Sequence, residues 1–137
     1  MADIDYRLVG RLSIVYMMSL VTEVLRNSPI DFLDLLIVTA VSEANHRKGD
    51  GADEAQPGLR GISRNAVSRR LNVPLETVRR RVAGLILKQI LAEQRDGLIF
   101  SAGNDAGIGS NRELDELNLR NLRQLFRALR DNGITLD

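Results

Sequence analysis

Residues 71–74 impose the sharpest constraint on what this chain can become. Upstream of them, Ala66, Val67 and Leu71 form one apolar stripe, in a segment that the Ser63 side chain can cap. Downstream, Val78, Val82, Leu85 and Ile86 recur at steps of four, three and one, which marks the inward face of a second helix. Only Asn72, Val73 and Pro74 stand between the two. Asn72 tolerates the left-handed conformation that ends a helix, and Val73 can serve as a buried apolar plug. Pro74 fixes φ at the first position of the next helix, where its missing amide proton has no intrahelical partner to lose. The pattern predicts a short helix over 64–71, a three-residue turn and a longer helix over 75–88.

Two short apolar runs follow at once in "ILAEQRDGLIFSA", separated by Arg95-Asp96-Gly97. Asp-Gly favours a hairpin turn because both residues tolerate positive φ, so a small β-ribbon is expected here. Before the turn, Tyr6 to Arg26 reads as a helix that is apolar on more than one side. Leu8, Val9, Leu12, Val15, Tyr16, Leu20 and Val24 are expected on one face, and Ile14, Met17, Met18, Val21 and Leu25 over much of the remainder. A helix apolar nearly all round must be covered nearly all round, which points to a partner subunit as well as a core.

Ser28, Pro29 and Asp31 together signal another helix start, Ser28 being the expected cap. That helix should run to about His46, with Phe32, Leu35, Leu36, Val38, Thr39 and Ser42 along its inward stripe. Residues 47–61, rich in Gly, Asp and Pro, read as a loop. The Gly-rich segment 101–111 lacks a Gly-Lys-Ser/Thr triplet and reads as a connector rather than a phosphate-cradling loop. A last helix, from about 112 to 131, places Leu119, Leu122, Phe126 and Leu129 at steps of three, four and three, a candidate dimer seam, with Gly133 ending it.

The expected organisation is therefore a single domain of 137 residues, mainly α with a small hairpin. An interface helix over 6–26, a central region over 28–101 and an interface helix over 111–132 succeed one another in it. The absence of cysteine, with His46 as the sole histidine, excludes disulfides, thiolate zinc sites and Cys/His nucleophilic catalysis within one chain. No nucleophile–base pair or pair of acids can be nominated, so no enzymatic role and no cofactor are expected. Glu43 and His46 have the spacing of half a carboxylate-bridged metal site, but a histidine near a helix C-terminus is favoured there anyway, and no metal is expected. The apolar run from Leu12 to Thr22 is about half of the ~20 residues a span requires, and the chain starts on acidic residues. A soluble cytoplasmic protein with no membrane contact is expected.

Charge separates one region from the rest. The net charge of +1 divides into −4 over residues 1–57, +6 over 58–96 and −1 over 97–137. A local basic block in an otherwise acidic chain suggests an anionic partner for that block. Five of its arginines fall within "SRRLNVPLETVRRRV", residues 68–82, around the turn itself.

The segment from Gly61 to Phe100 resembles the winged helix-turn-helix of bacterial transcription regulators, especially the MarR-type and GntR-type DNA-binding domains. Its most specific part is "AVSRRLNVPLETVRRRV", with small and apolar residues in the first helix, Leu-x-Val at the turn and Thr-Val-Arg-Arg opening the second. Asn72 stands where the family usually has glycine. Pro74 stands in place of a capping serine, which removes a hydroxyl and an amide that could have bonded a phosphate. The 47–61 loop is longer than the family's usual connection. The resemblance implies a mainly α fold with a hairpin wing, a recognition helix over 75–88 in a DNA major groove, and a homodimer joined through its first and last helices. Thr77, Arg79 and Arg80 are the implied base contacts, with Leu75 and Glu76 beside them, Glu76 either accepting from cytosine or holding a neighbouring arginine. Ser63, Arg64, Ser68 and Arg69 are the implied phosphate contacts, and Arg95 the wing residue laid in a minor groove. In MarR-type proteins a small effector sits between interface and DNA-binding parts, although no convergent polar set in this sequence marks such a pocket. The alternative from another class is a winged-helix module that binds protein without reading DNA sequence.

Overall fold

The computed structural model describes residues 3–47, 60–101 and 112–136. The expected loop over 47–61 and connector over 101–111 lie, apart from their ends, outside the described residues. Among those described, the protein is mainly helical with one two-stranded antiparallel sheet. Its order is α1 (Tyr6–Arg26), α2 (Phe32–His46), α3 (Arg64–Leu71), α4 (Leu75–Leu87), β1 (Leu91–Gln94), β2 (Gly97–Phe100) and α5 (Arg112–Asp131).

Two compact units result, a terminal one from Met1–Ser28 with Ile108–Asp137 and a central one from Pro29–Gly107. In the terminal unit α1 packs against α5. Asp5 caps α1 by accepting from the amides of Arg7 and Leu8, both at 3.1 Å. Polar pairs join the helices, the Tyr16 hydroxyl donating to Asn118 Oδ1 and Asn121 Nδ2 donating to Ser19 Oγ at 3.0 Å. Leu114, Asn121, Leu129 and Val24 are buried, while Ile14, Met17, Met18, Leu119 and Phe126 are exposed. Val15, expected on the inward face of α1, is 60% exposed, because that face is narrower than the apolar sequence of the helix allows. The stretch Leu8–Leu25 holds only Arg11 and Glu23 as charges. With a mean hydropathy of 1.6, α1 is long and apolar enough to cross a membrane by length and composition, as core helices of soluble proteins also are.

In the central unit, Ile37 and Val41 of α2, Val67 of α3, and Val78, Val82 and Leu85 of α4 meet Leu98 of β2 in one core, all at 0–1% exposure. The inward face of α2 matches the expected one at Val38 and, in part, at Leu35, and differs elsewhere. Asp34, Ile37, Val38, Val41 and Asn45 are buried, whereas Phe32, Leu36 and Thr39 are exposed. Apolar residues surround this helix, so their period does not choose a face, and two of the buried positions are polar. The α2 cap also lies three residues later than expected. Asp31, not Ser28, accepts from the Asp34 amide at 2.9 Å.

The turn between α3 and α4 follows from its residues. Ser63 Oγ accepts from the Ala66 amide at 3.1 Å, and Asn72 sits in the left-handed region at φ 53° and ψ 45°. Val73 is half-buried against the core rather than fully enclosed. Pro74 occupies the cap position, one residue before the expected place inside the helix.

In the hairpin, Gln94 pairs with Gly97 and Leu91 with Phe100. Only Gly97 takes positive φ, at 135°, and Asp96 does not, so the turn rests on one glycine rather than on two left-handed residues. Ile62 continues the sheet beyond β2, its amide donating to the Leu98 carbonyl at 3.0 Å and its own carbonyl accepting from the Leu98 amide at 2.8 Å. A Cβ at Gly97 would lie 2.7 Å from the Ile62 backbone, so this approach requires glycine.

Candidate nucleic-acid interface

The arginines of the central unit divide by what their guanidinium groups touch. Arg81 points back from α4 to α2, pairing with Asp31 and lying 3.5 Å from the largely buried Asp34 carboxylate. Arg70 of α3 reaches Glu43 of α2 at 2.8 Å. Arg64 pairs with Glu93 of β1 and so ties the start of α3 to the hairpin. Each of these three contacts holds two elements together.

Arg69, Arg79, Arg80 and Arg95 are differently placed. All four are exposed. Arg79 lies 3.7 Å from Glu76, one turn back on the same helix, a loose and solvated pair. Arg69, Arg80 and Arg95 make no ion pair with any described residue. They project from α3, α4 and the hairpin turn, three consecutive elements of one unit.

The other residues expected at this site are distributed as follows. Ser63 caps α3, so its oxygen is engaged with the Ala66 amide. The Ser68 hydroxyl donates to the Val73 carbonyl at 2.6 Å, which commits its proton to the turn instead of to a phosphate. Leu75 and Thr77 are half-buried at the start of α4, and Glu76 is exposed next to them.

Sequence reasoning missed the residue that fixes the hairpin. Asn45, 4% exposed near the end of α2, accepts from the Phe100 amide at 2.8 Å, and its Nδ2 donates to the Leu98 carbonyl at 3.1 Å and to the Arg60 carbonyl. One side chain thereby binds β2 and the backbone of Arg60, just before the Ile62 bridge, to α2. A buried asparagine that meets its needs from backbone groups leaves no hydrophobic pattern to read. Asp96 adds a second tie, accepting from the Gly61 amide at 2.9 Å and from Gln94 Nε2 at 2.7 Å.

These contacts set the electrostatics. The Asp34 amide, and then the Arg81 guanidinium, hold the Asp31 carboxyl below the usual aspartate range, and Asp31 in turn raises Arg81 further. The Gly61 amide and Gln94 lower Asp96. Arg47, which bonds both Glu43 oxygens, and then Arg70 lower Glu43. His46 places Nδ1 2.7 Å from the Ser42 carbonyl, so the Glu43/His46 pair is engaged by other groups. No group of three or more His, Cys, Asp or Glu side chains suited to a metal occurs among the described residues.

The arrangement offers exposed, uncompensated positive charge on a helix end, a neighbouring helix and a hairpin turn, over a scaffold braced by its other arginines. No protein-family model, curated protein or solved structure matches the chain.

Proposed function

We propose that the protein is a sequence-specific, duplex-DNA-binding transcription regulator that acts as a homodimer. In this reading the central unit is a winged helix-turn-helix of the kind found in MarR-type and GntR-type regulators. One observation carries the proposal: Arg69, Arg79, Arg80 and Arg95 are exposed on three successive elements, while the neighbouring Arg64, Arg70 and Arg81 are spent on carboxylates.

In the proposed mode α4 enters the major groove with its N-terminal half foremost. Arg79 and Arg80 fork onto guanine edges, and Thr77 and Glu76 read adjacent positions. Arg69 meets phosphate on one side and Arg95 enters a minor groove on the other.

The homodimer reading draws on the terminal unit. Two helices with Ile14, Met17, Met18, Leu119 and Phe126 exposed leave apolar surface that a second copy would cover. Two-fold symmetry then predicts an inverted-repeat operator with half-sites about one helical turn apart. The absence of an enzymatic role and a cytoplasmic location belong to the same proposal.

Selection from a random duplex library at physiological salt tests it, with Arg79→Ala/Arg80→Ala protein alongside. An enriched inverted repeat that the double variant no longer enriches is the expected result. Unselective or absent retention by the wild-type protein would shift the assignment to a protein-binding module of the same fold.

A further inference from the structure

The balance of −1 over residues 97–137 conceals a second basic surface. Every acidic residue of α5 lies in its first two turns or at its last position, Glu113, Asp115, Glu116 and Asp131. Between them, residues 117–130 hold four arginines and no carboxylate. Arg120, Arg123, Arg127 and Arg130 follow at steps of three, four and three, which places all four on one face of the helix. All four are exposed, and at roughly 100° per residue their face lies roughly opposite the buried Leu114, Asn121 and Leu129. Arg120, Arg123 and Arg127 make no ion pair with any described residue, and Arg130 has only its sequence neighbour Asp131 at 3.8 Å.

Helix physics does not call for this ridge. The negative end of the helix dipole attracts cations only within the last turn, which accounts for Arg130 but not for Arg120, Arg123 or Arg127. Like charges three and four residues apart repel, and three such pairs run along the ridge. Other arginines of the chain have carboxylate partners: Glu93 takes Arg64, Glu43 takes Arg47 and Arg70, Asp31 takes Arg81, and Glu116 takes Arg112 at the start of α5 itself. Like Arg69, Arg80 and Arg95 of the candidate interface, Arg120, Arg123 and Arg127 are without such a partner among the described residues.

We infer that the α5 ridge is a second polyanion-binding surface, which holds the phosphate backbone of a duplex without regard to sequence. From Arg120 to Arg130 the helix rises about 15 Å, and the same length of duplex carries about nine negative charges. The ridge therefore meets ample opposite charge along its whole length. An anionic bilayer fits less well. A helix lying in a bilayer surface buries the face opposite its basic one, and here α1 covers that face, leaving only Leu119 and Phe126 as an exposed apolar shoulder. This inference rests on the proposal of duplex binding, but it concerns different residues and a different property, affinity and salt dependence instead of selectivity.

The test compares full-length wild-type protein with Arg120→Gln/Arg123→Gln/Arg127→Gln and with the corresponding triple lysine variant. Affinity for a labelled duplex of arbitrary sequence is measured across a salt series, and circular dichroism checks the helix. Each phosphate contact adds about 0.9 to the slope of log affinity against log salt, so the glutamine variant, which removes three, should lose about 2.7 from that slope and at least about tenfold in affinity at low salt. The lysine variant should keep both. The preference for a selected duplex over a scrambled one should survive in the glutamine variant and fail in Arg79→Ala/Arg80→Ala. An unchanged slope in the glutamine variant overturns the ridge and leaves the proposed recognition helix standing. Loss of selectivity in the wild type with the ridge-dependent slope intact does the reverse. If the glutamine variant loses capture by vesicles containing anionic lipid while its duplex slope is unchanged, the ridge belongs to a lipid surface and the inference fails.

Discussion

The two units of this protein resolve the same problem, apolar helices in a short chain, in opposite ways. The central unit closes around its own core: side chains from three helices and the hairpin reach 0–1% exposure, and Asn45 within it has partners for both its donor and its acceptor atoms. The terminal unit has two long helices, no third element among the described residues, and several large apolar side chains more than half exposed. Burial of apolar surface is the dominant favourable term in folding, so the first unit has its stabilisation internally, while in the proposed homodimer the second would be completed by the other copy. Composition alone would not separate them, because α1 and α2 are both rich in apolar residues.

The largest expected effect breaks this comparison directly. Leu85→Ala in the central core should cost about 2–5 kcal/mol, since the methyl groups lost leave a cavity under Val78, Val82 and Leu98. Phe126→Ala in the terminal unit, where the ring is 53% exposed, should cost far less in dilute protein. Its effect should instead appear as weaker self-association in sedimentation velocity. Chemical denaturation of both variants over a range of protein concentration measures the contrast. Equal, concentration-independent losses would mean that the terminal unit is as self-contained as the central one.

A smaller effect is expected at Asn45. Asn45→Ala leaves the Phe100 amide and the Leu98 and Arg60 carbonyls without the partner they have now. The Leu98 carbonyl keeps the Ile62 amide and Arg60 is exposed, so the cost falls on the buried Phe100 amide, at about 1–3 kcal/mol, and the loss should be local to the hairpin. Amide hydrogen exchange should quicken at Phe100 and at the Ile62–Leu98 bridge, while Val82 in the middle of α4 keeps its protection. Uniform acceleration throughout the central unit would show that Asn45 supports the core as a whole and not the hairpin in particular.

How much of this was legible in the sequence follows from what makes a pattern. The boundaries of α3 and the end of α5 were legible because caps, breakers and apolar steps agree there: Ser63 caps, Asn72 turns left-handed and Gly133 ends α5 at φ 76°. The face of α2 was not, since Phe32, Leu35 and Leu36 compete with Ile37 and Val41 for the inside and nothing local decides between them. The winner was fixed from outside, by α4 carrying Arg81 toward Asp31 and Asp34, and by the hairpin offering backbone groups to Asn45. The same limit applies to the candidate interface. The clustering of arginines was visible, but which of them are braces depends on carboxylates distant in the chain, Glu93 for Arg64, Glu43 for Arg70 and Asp31 for Arg81. The ridge on α5 needed no structure to be noticed, only a count over 14 residues instead of 41, which a segment total hides.

The smallest expected effects separate the two kinds of arginine. Arg80→Ala, at an exposed and unpaired position, should leave stability within about 0.5 kcal/mol of wild type and lower duplex affinity. Arg81→Ala, one residue on, should lower stability measurably through the loss of its bridge to α2. The pH dependence at the other end of that bridge gives the finer discrimination. Asp31→Ala removes both the cap of α2 and the partner of Arg81, a cap being worth about 1 kcal/mol. Because the folded protein holds the Asp31 carboxyl below its usual value of about 3.9, its contribution is fully present above that pH. The contribution fades as pH falls through the lowered folded-state value, where the carboxylate takes up its proton in both states. Stability curves of wild type and Asp31→Ala should therefore run parallel from neutral pH down to about 5 and converge below about 4. Curves that stay parallel into acid would mean that Asp31 acts through its shape at the helix start and not through its charge, and Arg81 would then count among the open arginines rather than the braces.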